Sequence, residues 1–171
     1  MSKFAANSIL PAILKESGFI KCSWCLLDTR FVFAVCAGAI FIYLSHGLIP
    51  ALSEPFKLTW TVIITLTLWQ PAIEETLFRG LLQGQLLKKV WAAKTYYRIS
   101  YANLITSVLF VMMHMIHTSF LWSLMIIIPS LVFGYFRDTF NSIIPSITLH
   151  ILYNSFVVTG IYFSEHTVNA L

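Results

Sequence analysis

The sequence predicts an all-α protein: a polytopic transmembrane helix bundle of about five spans, with an N-terminal interfacial or poorly spanning segment. Two observations carry that prediction. The chain of 171 residues is 58% hydrophobic and only 11% charged, against roughly 25% charged in ordinary soluble domains. Apolar runs also recur at about the 20-residue length that a helix needs to cross hydrocarbon. The length suits one unit, so residues 1–171 are read as a single membrane domain.

Residues 1–28 are mixed. Pro11, Lys15, Glu16, Gly18, Lys21 and Asp28 interrupt any spanning run, which suits a segment lying on the membrane surface. The start, M-S-K-F-A-A-N, lacks the pattern of a cleavable signal peptide, so targeting is expected to rest on the first span. Cys22 and Cys25 form C-S-W-C. Such a pair beside a βαβ pattern would suggest redox chemistry; no such pattern exists, and the two are read as juxtamembrane thiols. Cys36, in an apolar run, is read as a small packing residue.

The first clear span covers residues 31–50. A polar connection with Ser53, Glu54, Pro55 and Lys57 follows. The second span runs from 58 to about 87, long for one crossing, so tilt or a kink at Pro71 is expected. Residues 88–98 (KKVWAAKTYYR) are the one strongly basic loop. The third span covers 101–117, with Thr118 and Ser119 in a tight connection. The fourth covers 120–136, and Arg137, Asp138 and Asn141 are placed in the next loop. The fifth covers 143–163.

Charge sets the orientation. With the N-terminus in the cytoplasm, the inner segments carry Lys3, Lys15, Lys21, Arg30, Lys88, Lys89, Lys94, Arg98 and Arg137, and the outer ones only Lys57. That asymmetry obeys the positive-inside rule. Trp60, Trp122 and Tyr162 fall at outer ends and Trp91, Tyr97, Tyr101 and Tyr135 at inner ends, as interfacial aromatics do.

Within this apolar frame, Gln70 to Gly80 (QPAIEETLFRG) is anomalous. It places Glu74, Glu75 and Arg79 inside a span, where each ionisable group costs roughly 2.5–3.5 kcal/mol on insertion scales. Glu75 and Arg79 are four apart and stack on one helix face as a pair. Glu74 points about 100° away and is read as having no partner within its own turn. Three more polar residues sit in apolar helices: His114, and His150 with Asn154 one turn on. Singly, an intramembrane His or Asn is as readily an interhelical hydrogen-bonding group. Six such groups from three spans are least costly facing one interior site. Glu74 is then placed to take a proton from water, His114 to hold that water or relay its proton, and His150 and Asn154 to donate to a developing oxyanion. Glu75 and Arg79 fix the helix. His117, at a span end, is read as interfacial; His46 and His166 receive no role.

E-E-T-L-F-R (Glu74–Arg79), F-V-M-M-H (Phe110–His114) and H-I-L-Y-N (His150–Asn154) match E-E-x-x-x-R, F-x-x-x-H and H-x-x-x-N, in order and in separate spans. Together they resemble the CPBP family of intramembrane proteases, which includes the type II CAAX prenyl endopeptidases and the bacterial Abi-like proteins. The resemblance covers roughly residues 58–160. It implies a helical membrane core with a buried site, a water activated by the first glutamate of the motif, and no cofactor. The catalytic set carried over is Glu74, Glu75, Arg79, His114, His150 and Asn154. The expected partners are a membrane-associated or lipidated peptide or protein and the lipid bilayer, with no nucleic acid. The short chain favours a small prokaryotic form in the inner membrane over eukaryotic prenyl processing.

Three other readings stay open. A zinc protease would use Glu74, His114 and His150 as ligands, since carboxylate and imidazole suit Zn²⁺; H-E-x-x-H is absent and Arg79 is an odd neighbour for a cation. A non-enzymatic immunity or scaffold protein could keep the same core for binding. A proton-coupled transporter also uses Glu and His in spans, but no inverted repeat supports it.

Overall fold

A computed structural model describes residues 18, 19, 22, 24–45 and 59–168. The expected surface segment up to residue 17, the last residues of the first expected span and the following polar connection lie outside the described residues.

Helix α1 (Thr29–Ser45) opens on Asp28. The Asp28 backbone carbonyl accepts from the amides of Phe31 and Val32, and its carboxylate from the amide and guanidinium of Arg30. Those side-chain hydrogen bonds hold the Asp28 carboxyl down at about 2. Just before it, Cys22 and Cys25, expected as thiols, pair with each other. Cys36, expected to pack inside, is exposed.

Helix α2 is continuous over residues 60–87 but irregular. Trp60–Ile64, Gln70–Glu75 and Gly84–Leu87 are α-helical, whereas Thr65–Trp69 and Thr76–Gln83 are π-helical. Pro71 explains the first π stretch. A proline inside a helix lacks an amide donor and crowds the carbonyl one turn back. Widening the turn relieves the crowding, and the Gln70 amide reaches back to the Thr65 carbonyl.

The basic loop departs from all-α. Strands β1 (Thr95–Tyr96) and β2 (Ile99–Ser100) pair antiparallel, Thr95 opposite Ser100 and Tyr96 opposite Ile99. Tyr97 and Arg98 turn the hairpin with φ of 48° and 67°, the two positive values that a two-residue type I′ turn requires. Ser100 then caps helix α3 (Tyr101–His114), its hydroxyl accepting from the Asn103 amide at 2.9 Å.

Ser119 likewise caps the short helix α4 (Phe120–Met125), which passes through Ile126 into α5 (Ile127–Phe140). Asn141 ends α5 in the left-handed conformation, φ 48°, a helix stop that asparagine tolerates. Arg137 and Asp138, expected in a loop, therefore belong to α5, and Arg137 is buried. Helix α6 (Ile144–Val168) closes the described chain. Two stretches, Phe120–Phe140 and Ile144–Phe163, are long and apolar enough to cross a membrane; Thr29–Leu44 and Tyr101–His114 are shorter apolar helices. Among the described residues, two stretches thus meet the length and composition of a span, and about five spans were expected.

The core lies between α1, α5 and α6, where Phe31, Ala34, Ile42, Phe133, Phe136, Leu149 and Tyr153 cluster. Small residues let the backbones approach. A Cβ at Gly38 would collide with the Tyr153 ring, and one at Gly134 with the Asn103 amide. Polar groups tie the helices: Tyr153 donates to the Ala34 carbonyl at 2.7 Å, Ser146 to Phe133 at 2.8 Å and Asn103 to Leu131 at 3.0 Å. Such interhelical bonds contribute about 0.6 kcal/mol each in a membrane.

Candidate active site

Helix α2 supplies the carboxylates because its buried face begins at Pro71. No residue from Trp60 to Gln70 is buried, while Pro71, Glu74, Glu75, Arg79, Gly80, Gln83 and Gly84 all are. Glu75 and Arg79, four apart, are fully buried, with Nε 3.4 Å from Oε2. That contact is an ion pair without hydrogen-bond alignment, since both atoms lack a hydrogen-bond partner. The Arg79 guanidinium is held instead by α5: one terminal nitrogen donates to the Ser130 carbonyl at 2.9 Å and to its hydroxyl at 2.7 Å. It also lies 4.9 Å from the ring centre of Phe110, close enough for a cation–π contribution.

Glu75 has a second partner. Its Oε1 meets His150 Nδ1 at 2.9 Å, and Phe133 stacks on the imidazole with ring centres 5.0 Å apart. These contacts turn His150 Nε2 towards Glu74, 3.8 Å from Oε2. His114 reaches the same oxygen from α3, with Nε2 at 4.0 Å. Its Nδ1 lies 2.9 Å from the Phe110 carbonyl one turn back. A carbonyl only accepts, so Nδ1 carries a proton, and in the neutral ring Nε2 is an acceptor.

Glu74 itself is oriented by a residue the sequence reading passed over. Gln70 Nε2 donates to Glu74 Oε1 at 2.9 Å, which corrects the expectation of no partner within its own turn. Oε1 is thereby occupied, while Oε2 is buried and unpartnered. The spacing of four residues between Gln70 and Glu74 was the available signal; it is the spacing that singled out Glu75 and Arg79.

Asn154 is anchored by the irregularity at Pro71. In the π register the Leu66 carbonyl would take its hydrogen from residue 71, and proline has none. Asn154 Nδ2 donates to that carbonyl at 2.9 Å, which leaves its second hydrogen.

All six sequence-predicted residues therefore converge, with different contacts. Glu74, His114, His150 and Asn154 line one cavity of about 200 Å³ with Gln70; Glu75 and Arg79 stand behind it. Among the described residues, no group of three His, Cys, Asp or Glu side chains is arranged to hold a metal ion. His117 is exposed in the turn after α3.

A family model described as Rce1-like, type II CAAX prenyl endopeptidase, matches residues 55–156. No curated protein and no solved structure matches the chain.

Proposed function

The chain belongs to the Rce1-like family of type II CAAX prenyl endopeptidases, which are peptide hydrolases, and from that premise we propose that Glu74 is the general base of intramembrane peptide-bond hydrolysis. One observation carries the reading. Glu74 Oε2 is buried without a partner and faces two imidazole nitrogens at 3.8 and 4.0 Å, spans that one bridging water fits.

In this mechanism a water at that point gives a proton to Glu74 Oε2, and its oxygen bonds to the substrate carbonyl carbon. His114 Nε2 accepts the water's other hydrogen and fixes its direction. The negative charge forms on the carbonyl oxygen, where the free hydrogen of Asn154 stabilises it, joined by the Nε2–H of His150 when both nitrogens of that ring carry protons. As the tetrahedral species collapses, the C–N bond breaks and Glu74 returns its proton to the departing amine. Glu75 positions His150, and Arg79 offsets the charge of Glu75 in a site where Coulombic terms are large. No cofactor is needed for these steps.

The same reading takes residues 29–45, 60–87, 101–114, 120–140 and 144–163 as five crossings of a prokaryotic inner membrane, with the N-terminus cytoplasmic. The cation distribution supports it. The α3 segment is short for a span, since 14 residues rise only about 21 Å. The substrate is a membrane-associated or lipidated peptide or protein. Cleavage in H₂¹⁸O by purified protein in lipid vesicles tests hydrolysis directly. One ¹⁸O in the new carboxyl terminus is expected; cleavage without incorporation would contradict a water nucleophile.

A further inference from the structure

The cavity has a direction. Its floor is Glu74, Phe110, Phe133 and His150. The rest of its lining lies to one side of that floor along every helix. On α1 it is Phe41 and Ile42, near the end of the helix. On α2 it is Leu66 and Gln70, before Glu74. On α6 it is Asn154 to Ile161, beyond His150, and on α4 it is Trp122 and Met125, in the segment that follows the far end of α3. None of these residues lies on the side of the β-hairpin. The unburied stretch of α2, Trp60 to Gln70, flanks the same half. Glu74 stands 15 positions from Thr59, about 22 Å along the helix, so the cavity occupies the half of the bundle away from the hairpin.

The hairpin end is where cations gather. Lys88, Lys89, Lys94 and Arg98 belong to it, with Arg30 at the start of α1 and Arg137 near the end of α5. The segments joining helices at the other end contain Lys57 alone among Lys and Arg. By the positive-inside rule the hairpin end is cytoplasmic and the cavity faces outwards. The lining of that outer half is apolar, from Ile42 and Leu66 to Trp122, Met125 and Val157.

We infer that the site takes its substrate from the extracytoplasmic side, as a peptide with apolar residues flanking the scissile bond. This rests on the reading of Glu74 as the working carboxylate and adds the side from which it is reached. A carboxyl-terminal motif presented at the cytoplasmic surface would have to pass the packed half of the bundle, where Arg79, Gln83, Phe136 and Arg137 are buried.

The test is side-specific thiol labelling in intact cells. Cys22, Cys25 and Cys36 do not line the cavity and are replaced by serine. Single cysteines are then placed at Ile161→Cys and Trp122→Cys on the cavity, and at Ala93→Cys beside the hairpin. A sulfonated, membrane-impermeant maleimide is added from outside. Both cavity cysteines should react in intact cells, and the 93 site only after permeabilisation. Cavity cysteines that react only after permeabilisation, or from neither side, overturn the inference; so does outside labelling at 93. Two cavity positions guard against one variant failing to fold. Labelling needs no turnover and is repeated with Glu74→Gln. Persistent cleavage by Glu74→Gln would sink the reading of Glu74 as the working carboxylate, whereas wrong-sided labelling sinks only the route of access.

Discussion

His150 Nδ1 and Glu75 Oε1 lie 2.9 Å apart, so the second glutamate of the pair serves the histidine as well as the arginine. Its other oxygen is 3.4 Å from Arg79 Nε, with both side chains fully buried. One carboxylate thus couples a guanidinium from its own helix to an imidazole on α6.

Arg79→Leu removes the charge that offsets Glu75. Breaking a buried ion pair typically costs about 3–5 kcal/mol, several times the worth of an interhelical hydrogen bond. The variant should accumulate in membranes at a clearly lower level and lose activity per molecule as well, measured by quantitative blotting and cleavage rate. Normal accumulation would show that Glu75 does not depend on Arg79.

Gln70→Leu removes the donor to Glu74 Oε1. Gln70 is exposed, so membrane levels should not change. A hydrogen bond to a charged group contributes about 1.5–3 kcal/mol, so kcat should fall roughly 10–100-fold if that bond holds Glu74 in its working orientation. KM should change far less. An unchanged kcat would remove Gln70 from the site.

Metal dependence separates the readings that the residues alone left open. His114 and His150 each commit Nδ1 to a protein partner, and the mechanism proposed here needs no metal. Strong chelators should leave cleavage intact, and elemental analysis of active protein should find far less than one equivalent of zinc. Activity lost on chelation and restored by Zn²⁺ would favour Glu74, His114 and His150 as ligands.

Much of the site was legible in the sequence because burying charge in hydrocarbon is costly. Glu74, Glu75, Arg79, His114, His150 and Asn154 stood out against apolar runs, and only mutual contact makes their burial tolerable. What holds them was less legible. Ser130, which receives Arg79, is a common residue in an apolar helix, and its role is set by tertiary packing. The anchoring of Asn154 on Leu66 depends on a π turn that Pro71 suggests only as a kink. The hairpin turn uses Tyr97 and Arg98 where glycine or asparagine would have signalled it. Arg137 was assigned to a loop because it follows an apolar run, yet α5 continues to Phe140 and buries it.

Glu74→Gln tests the central claim most directly. Glutamine keeps the size of the side chain and its hydrogen-bonding reach but cannot take a proton from water near neutral pH. An amide is also less costly to bury than a carboxylate, so the fold should be kept or slightly strengthened. The variant, purified at normal yield and assayed beside the parent on the same membrane-inserted peptides, is predicted to show no cleavage above background. Cleavage at the parental rate by Glu74→Gln, with normal membrane levels, would contradict the account.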